Sequence, residues 1–116
     1  MAKENEKNFE KVSRAWGNYI VLEKGERYKI KKITVEVGKS LSLQKHFHRS
    51  EHWVVVQGAA QVTIENEEKI VRINESIYVP IAAKHQLANP GKTDLIIIEV
   101  QLGDYLSEDD IVRFEI

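Results

Sequence analysis

The sequence predicts an all-β sandwich or barrel that forms a single domain. Short apolar runs follow one another at intervals of about 8 to 12 residues, and turn-forming residues separate them. No segment of useful length has the 3.6-residue period of an amphipathic helix. At 116 residues the chain has the length of one domain, which buries about two-thirds of its unfolded surface.

The individual strands are predicted from β-branched and aromatic residues that alternate with polar ones. In order along the chain they cover residues 18–22, 28–37, 40–48, 51–57, 60–65, 69–73, 76–79, 85–88 and 95–101. Turn residues such as Gln57-Gly58, Asn74-Glu75 and Asn89-Pro90-Gly91 lie between them. After the last strand, residues 108–113 could form one helical turn, with Ser107 as its N-cap.

Composition and charge exclude several classes of function. The chain has no cysteine, which excludes a thiolate metal site and a cysteine nucleophile. Its 17 basic and 18 acidic residues are interspersed, so nothing indicates binding to nucleic acid or a membrane surface. Residues 1–11 are expected to be a flexible leader before a domain at 12–116. No apolar run approaches the roughly 20 residues of a membrane span, and the cytoplasm is the expected location.

The histidines are unevenly distributed. His46, His48 and His52 lie within seven residues, and the fourth, His85, follows in a second polar break between apolar runs. On a strand, Gln44 would share one face with the first two of these histidines. A short bend after His48 would return Glu51 to the same face. This pattern favours a metal site over a hairpin with solvated histidines.

The spacing of these residues resembles the two sequence motifs of the cupin family. The first motif would comprise Gly38, Gln44, His46, Glu51 and Gly58, with glutamine in place of the usual first histidine. The second would comprise Asn74, Pro80, Ala82, His85 and Asn89. The family usually has glycine where Asn74 and Ala82 stand, and a positive φ would suit alanine poorly. The resemblance implies a double-stranded β-helix, or jelly-roll barrel.

Several longer segments are similar to the C-terminal domain of the bifunctional type II phosphomannose isomerase/mannose-1-phosphate guanylyltransferases. They occur in order between about residues 12 and 114, and include Arg14-Ala15-Trp16-Gly17, His48-Arg49-Ser50-Glu51-His52-Trp53, Asn89-Pro90-Gly91 and Tyr105-Leu106-Ser107-Glu108-Asp109-Asp110-Ile111-Val112-Arg113. The chain has no Gly-rich nucleotide loop, so nucleotide transfer is not expected from it alone.

The resemblance implies a divalent metal held by Gln44, His46, Glu51 and His85. Two imidazoles, a carboxylate and an amide oxygen suit zinc, with cobalt, manganese or iron as other candidates. Such a set leaves positions open for a substrate, unlike a closed structural zinc site. Two alternatives remain: Gln44 could instead hydrogen-bond a ligand histidine, and His85 could be a buried histidine with no ligand role.

The reaction that the resemblance implies is the interconversion of mannose 6-phosphate and fructose 6-phosphate. The metal would stabilise the enediolate, and a base would move a proton between two sugar carbons. His48, His52, Lys31 and Glu99 are the candidates for this base, and the sequence does not choose among them. The alternatives are a non-catalytic cupin that binds a sugar or another metabolite, and an Fe(II) cupin dioxygenase.

The sugar phosphate is expected to be held by arginine, whose planar guanidinium suits phosphate oxygens. Arg49 and Arg14 match family arginines, although Arg14 could instead form an ion pair at a barrel end. The lysines at 29, 31 and 32 are interpreted as a solvated strand face, although one of them could point at the phosphate. Trp16 and Trp53 are interpreted as packing residues. The resemblance also implies a homodimer.

Overall fold

The computed structural model describes residues 9–114, which form strands and their connections with no helix in that range. The strands are β1 (Lys11–Arg14), β2 (Gly17–Lys24), β3 (Tyr28–Val35), β4 (Leu43–Lys45), β5 (Arg49–Gln57), β6 (Ala59–Ile64), β7 (Glu67–Arg72), β8 (Ser76–Val79), β9 (His85–Ala88), β10 (Leu95–Gly103) and β11 (Val112–Phe114). The predicted all-β class is therefore confirmed. Lys11 already belongs to β1, and residues 1–8 of the predicted leader lie outside the described residues.

Two antiparallel sheets face each other. The first has the order β1-β2-β3-β10-β5-β8, and the second has the order β11-β4-β9-β6-β7. Their inner faces bury a common apolar core, which includes Val35, Val55, Val62, Leu87 and Ile97. The crossed strand order, with β10 between β3 and β5, is that of a jelly roll. No helix among the described residues has the length and apolar character of a membrane span.

The alternation along β3 corrects the prediction that its lysines form a solvated face. Lys29, Lys31, Ile33 and Val35 all point inward and are buried. Ile33 and Val35 belong to the apolar core, whereas the two lysines lie on the same face of β3 nearer the polar end of the barrel. Nζ of Lys31 lies 2.8 Å from a carboxylate oxygen of Glu108, and Nζ of Lys29 donates to the carbonyl of Leu106 over 2.8 Å. Burial of a lysine is tolerated where partners of this kind are near.

The histidine-rich segment bends earlier than predicted. Strand β4 ends at Lys45, a bend follows at Phe47 and His48, and Arg49 already begins β5. The expectation that His48 shares the face of Gln44 and His46 is therefore wrong, because the strand does not continue to that position. The side chain of His48 is 59% exposed, whereas His46 and Arg49 are buried.

Two non-glycine residues take the left-handed conformation at the motif positions where the family usually has glycine. The φ angle is 73° at Asn74 and 66° at Ala82. Gly38 and Gly58, from the first motif, also have positive φ angles of 77° and 80°. The turn at Ala82 is fixed by its N–H, which donates to the carbonyl of His46 over 2.8 Å. This bond ties the segment before His85 to the segment that carries His46.

The segment between β10 and β11 crosses one end of the barrel. The helical turn predicted at 108–113 is wrong, because this segment forms a turn and then β11, which pairs with β4. The carboxylate of Asp110 accepts hydrogen bonds from the N–H groups of Phe47 and His48, at 3.0 and 2.9 Å. Asp110 thereby joins this end segment to the bend that follows β4.

Candidate metal centre

A cavity of about 350 Å³ opens at the end of the barrel that the 104–111 segment crosses. Its apolar wall includes Trp16, Ile33 and Leu87. Its polar side chains come from both sheets and from the end segment; they include Arg14, Lys31, Gln44, His46, Arg49, Glu51, His85, Glu99, Gln101, Glu108 and Arg113. A mixed lining of this kind is typical of a site for a small polar ligand.

Three of these residues could hold a metal ion. His46, Glu51 and His85 are buried, and one potential ligand atom from each lies within 4.8 Å of the other two. Glu51 comes from β5 of the first sheet, His85 begins β9 of the second, and His46 directly follows β4. The cluster therefore forms only where the two sheets approach each other.

Hydrogen bonds fix the orientation of both imidazoles. Nδ1 of His46 donates to the carbonyl of Asp110 over 2.6 Å, and Nδ1 of His85 donates to the carbonyl of Ala83 over 3.0 Å. Each ring therefore presents its unprotonated Nε2 to the cavity. Burial lowers the pKa of His46, and although the charge of Glu51 opposes this shift, the net direction is down. A neutral imidazole is the form that binds a metal ion.

The carboxylate of Glu51 is held from two sides. Nε1 of Trp53 donates to its Oε1 over 2.9 Å, and Nε of Arg49 donates to its Oε2 over 2.8 Å. Oε2 also lies 3.5 Å from Nε2 of His46. Arg49 reaches the histidine as well, because its Nη2 donates to Nε2 of His46 over 3.2 Å. The guanidinium therefore contacts two of the three candidate ligands.

A second buried carboxyl group, Glu99, adjoins Glu51. Burial raises the pKa of Glu99 well above its ordinary value, and the negative charge of Glu51 adds to the rise. Burial also opposes ionisation of Glu51, but a hydrogen bond from Glu99 and the charge of Arg49 lower its pKa to about 2. Glu51 is thus the ionised member of the pair. Nε2 of Gln101 donates to Glu99 over 2.7 Å and keeps that side chain in place.

Gln44 lies beside this cluster. It lines the cavity and is the register partner of His85 across β4 and β9. Its Nε2 donates to the carbonyl of Ser42 over 3.2 Å, so the amide nitrogen is directed back along the chain. The amide oxygen is the atom through which Gln44 could join the metal ligands.

The donor set fits a divalent ion of intermediate softness. Two imidazole nitrogens and one carboxylate, with an amide oxygen nearby, match the preferences of zinc, cobalt, manganese or iron(II). Three or four protein ligands leave coordination positions for a ligand oxygen, as in catalytic rather than structural sites. The hydrogen bonds from Trp53 and to Asp110 and Ala83 are outer contacts of the kind that orient metal ligands.

The structure brings together some of the predicted catalytic residues and separates others. Arg49 and Lys31 are buried and line the cavity, and Arg14 lies at its mouth with its guanidinium 5.7 Å from the ring centre of Tyr19. His48 and His52 are not part of the lining. The ring of His52 points outward from β5 and packs against Tyr78, with ring centres 4.8 Å apart.

Sequence reasoning missed four residues of this site: Trp53, Gln101, Glu108 and Asp110. Two of them could have been found from the strand period, because Glu51 and Trp53 are two residues apart, as are Glu99 and Gln101. Trp53 is buried, as predicted, but its indole also bonds to Glu51. Glu108 and Asp110 carried no such signal, since they lie in an irregular segment.

Comparison with known proteins identifies the family. All residues from 1 to 116 match the family model described as the mannose-6-phosphate isomerase C-terminal domain. The chain belongs to this family. It is 58% identical over 104 residues to the mannose-1-phosphate guanylyltransferase ManC of Salmonella typhimurium, covering 90% of this chain and 22% of that protein. It is 55% identical over 103 residues to the mannose-1-phosphate guanylyltransferase of Escherichia coli, with 89% and 22% covered.

The fold is also that of solved cupin structures. An RmlC-like cupin from Shewanella frigidimarina matches with a TM-score of 0.76 and 21% identity, and the match covers 89% of each chain. The sequence-based resemblance to a C-terminal cupin domain is therefore confirmed. The chain spans about a fifth of the length of the two curated relatives.

The relatives correct the predicted activity. The prediction that this chain interconverts mannose 6-phosphate and fructose 6-phosphate is wrong, because its relatives at 55% and 58% identity are named mannose-1-phosphate guanylyltransferases and not isomerases. The chain is similar to a cupin domain of enzymes that are named mannose-1-phosphate guanylyltransferases. The sequence motifs identify a type of domain and not a reaction. The names of the relatives describe longer proteins, of which this domain is one part.

Proposed function

We propose that this chain is the cupin domain of a mannose-1-phosphate guanylyltransferase and that it binds a divalent metal ion beside a mannose phosphate. The observation that carries the proposal is the cluster of His46, Glu51 and His85, whose ligand atoms converge within 4.8 Å on a cavity. The sugar phosphate is inferred from the names of the relatives, which are mannose-1-phosphate guanylyltransferases.

The proposed metal ligands are Nε2 of His46 and His85, a carboxylate oxygen of Glu51 and the amide oxygen of Gln44. A zinc ion, or cobalt, manganese or iron(II) in its place, would act as a Lewis acid for an oxygen of the sugar. Arg49 donates to the same Nε2 of His46 that the metal would use. Metal binding at Nε2 therefore requires that this hydrogen bond breaks.

The cavity suits a phosphorylated sugar in size and charge. About 350 Å³ is within the range of sites for small organic ligands. Trp16 and Tyr19 on one wall offer apolar surface for the face of a sugar ring, and Arg14 at the mouth offers a cation. The chain itself would bind and orient the sugar phosphate, while the remaining four-fifths of a relative's length would carry nucleotide chemistry. The cytoplasmic location stays a prediction.

The first test is metal binding by the chain and its variants. Metal-stripped protein is titrated with zinc, cobalt, manganese and iron(II) by calorimetry, and cobalt binding is also followed by its visible spectrum. We expect one site per chain and a loss of affinity of more than about 100-fold in His85→Ala, because a direct ligand matters more than the outer contacts that cost 10- to 100-fold. His52→Ala is the matched control, since this histidine lies on the outer face of β5.

The second test is binding of mannose 1-phosphate to the metal-loaded chain. We expect saturable binding that weakens when His85→Ala removes the metal and that persists in His52→Ala. Equal metal affinity in both histidine variants, or mannose 1-phosphate binding that is absent from the folded, metal-loaded chain, would contradict the proposed function.

A further inference from the structure

A carboxylate of the chain itself lies among the buried cations of the cavity. Oε2 of Glu108 lies 2.8 Å from Nζ of Lys31, 3.9 Å from Nζ of Lys29 and 3.8 Å from Nη1 of Arg49. The side chains of the three cations are 5%, 10% and 4% exposed, whereas that of Glu108 is 50% exposed. Lys31 and Arg49 belong to the buried lining of the cavity, Lys29 lies beside them, and the carboxylate that reaches them is half exposed.

One of these cations is incompletely paired. Nη1 of Arg49 is buried and has no hydrogen-bond partner among the described residues, because 3.8 Å from Glu108 is too long for a hydrogen bond. A buried guanidinium nitrogen without a partner is costly, and the cost is removed when an acceptor binds to it. A phosphate group has three acceptor oxygens and can contact this nitrogen and Lys31 at the same time. The Glu108 carboxylate, in its observed position, bonds only to Lys31.

Glu108 is the carboxylate that faces these three cations. It pairs with Lys31 and lies within 4 Å of Lys29 and Arg49. Burial alone would raise the pKa of Glu108, but the charge of Lys31 and its hydrogen bond lower it overall, with help from Arg49. Glu108 is therefore an anion at neutral pH and can compete with another anion.

The position of Glu108 in the fold allows it to leave. It lies in the irregular segment between β10 and β11, outside any strand, whereas its partners Lys31 and Arg49 lie on β3 and β5. Within this segment the N–H of Asp110 donates to the carbonyl of Ser107 over 3.2 Å. A change in the side-chain rotamers of Glu108 would withdraw the carboxylate without breaking a pair of strands.

We propose that Lys31 and Arg49, with Lys29 beside them, form a phosphate-binding subsite of the cavity, and that the Glu108 carboxylate occupies this subsite until a phosphate displaces it. The inference rests on the proposed function, because it assigns the phosphate group of the sugar to these residues. It predicts that Glu108 weakens phosphate binding while the two cations strengthen it.

The test uses inorganic phosphate and the metal-free chain, so that it does not depend on the metal or the sugar. Phosphate affinity is measured by calorimetry at one low ionic strength, since salt screens such contacts. We expect Glu108→Gln to bind phosphate about fivefold more tightly than the unchanged chain, as expected for the loss of one competing charge contact. Lys31→Met is expected to bind it about fivefold more weakly.

Two further variants control this comparison. Asp109→Asn removes the same charge from the neighbouring residue, whose carboxylate is exposed and bonds to Tyr105, so it should leave phosphate affinity unchanged. Glu108→Asp keeps the charge but shortens the side chain, and should tighten phosphate binding by a smaller factor. Thermal unfolding of each variant establishes that it is folded.

The inference is overturned if Glu108→Gln and Asp109→Asn bind phosphate equally, or if Lys31→Met binds it as tightly as the unchanged chain. This result differs from a failure of the proposed function. A chain that binds metal and mannose 1-phosphate but shows no effect of Glu108 retains that function and loses the subsite. A chain that shows the effect with phosphate but does not bind mannose 1-phosphate retains the subsite and loses the function.

Discussion

At the residue scale, Ala82 is held in a conformation that disfavours a side chain. Its φ of 66° is in the left-handed region, which costs a non-glycine residue roughly 1–2 kcal/mol. The conformation persists because the N–H of Ala82 bonds to the carbonyl of His46 and the segment leads into His85. The strained residue is therefore close to two candidate metal ligands. Backbone outliers of this kind often occur at functional sites.

Replacing Ala82 by glycine should stabilise the protein. Glycine relieves the left-handed strain but has more freedom to lose on folding, which leaves a net gain of about 0.5–1 kcal/mol in the free energy of unfolding. Urea denaturation measures this difference. Ala59→Gly is the control, because φ is not positive at this position in β6 and the same change should destabilise by about 0.5–1 kcal/mol. Destabilisation by Ala82→Gly would show that the methyl group contributes packing that outweighs the strain.

At the element scale, Asp110 connects the end segment to the bend before β5. Its carboxylate accepts hydrogen bonds from the N–H groups of Phe47 and His48, and its carbonyl accepts one from His46. Burial alone would raise its pKa, but the hydrogen bonds from the His48 side chain and from the two N–H groups lower it overall. The ionised form is therefore the one that stabilises this connection.

Removing this carboxylate should destabilise the protein in a pH-dependent way. Asp110→Ala is expected to cost about 1–2 kcal/mol at pH 7, the size expected for hydrogen bonds to a charged group. Because the folded pKa is below the unfolded value of about 3.9, this contribution is fully present above roughly pH 5 and is lost as the pH falls through the folded value. Urea denaturation of both proteins between pH 7 and pH 3 measures it.

Asp109→Ala is the control for that experiment, since its carboxylate is exposed and bonds to the hydroxyl of Tyr105. It should cost less at pH 7 than the change at Asp110. A difference between wild type and Asp110→Ala that grows as the pH falls would have the wrong sign for a lowered pKa and would contradict the assignment.

At the scale of the whole molecule, the outer face of the six-stranded sheet carries several apolar side chains near its centre. Ile96, Ile98 and Val100 of β10 point outward and are partly exposed, and Val54 lies opposite Ile98 on β5. A contiguous apolar patch on a sheet face is typical of an interaction surface. We propose that two copies of the chain pair through this face to form the homodimer that the family resemblance implies.

Substitution on this face tests the proposed dimer. Ile98→Glu would bury a charge in the interface and is expected to convert a dimer into a monomer, as measured by light scattering during size-exclusion chromatography. Lys69→Glu, on an exposed position of the edge strand β7, should leave the mass unchanged. A monomeric wild type at tens of micromolar would contradict the proposal.

The fold class and most strand positions could be predicted from the sequence, because the two-residue period and the turn residues are local signals. The family motifs also identified the candidate ligands His46, Glu51 and His85, whose side chains converge in the structure. The end of β4 at Lys45, which turns His48 outward, depends on pairing with β9 and β11 and was not visible in the local pattern.

Which charged residues belong to the site depends on contacts between distant segments, and these could not be predicted from the sequence. Lys29 and Lys31 looked like a solvated face, but Glu108 and the carbonyl of Leu106, both from a distant part of the chain, compensate their burial. Glu108 comes from an irregular segment that carries no periodic signal. The raised pKa of Glu99 and the contacts of Arg49 also depend on such long-range contacts. Desolvation and charge act through space, between residues that can lie far apart in sequence.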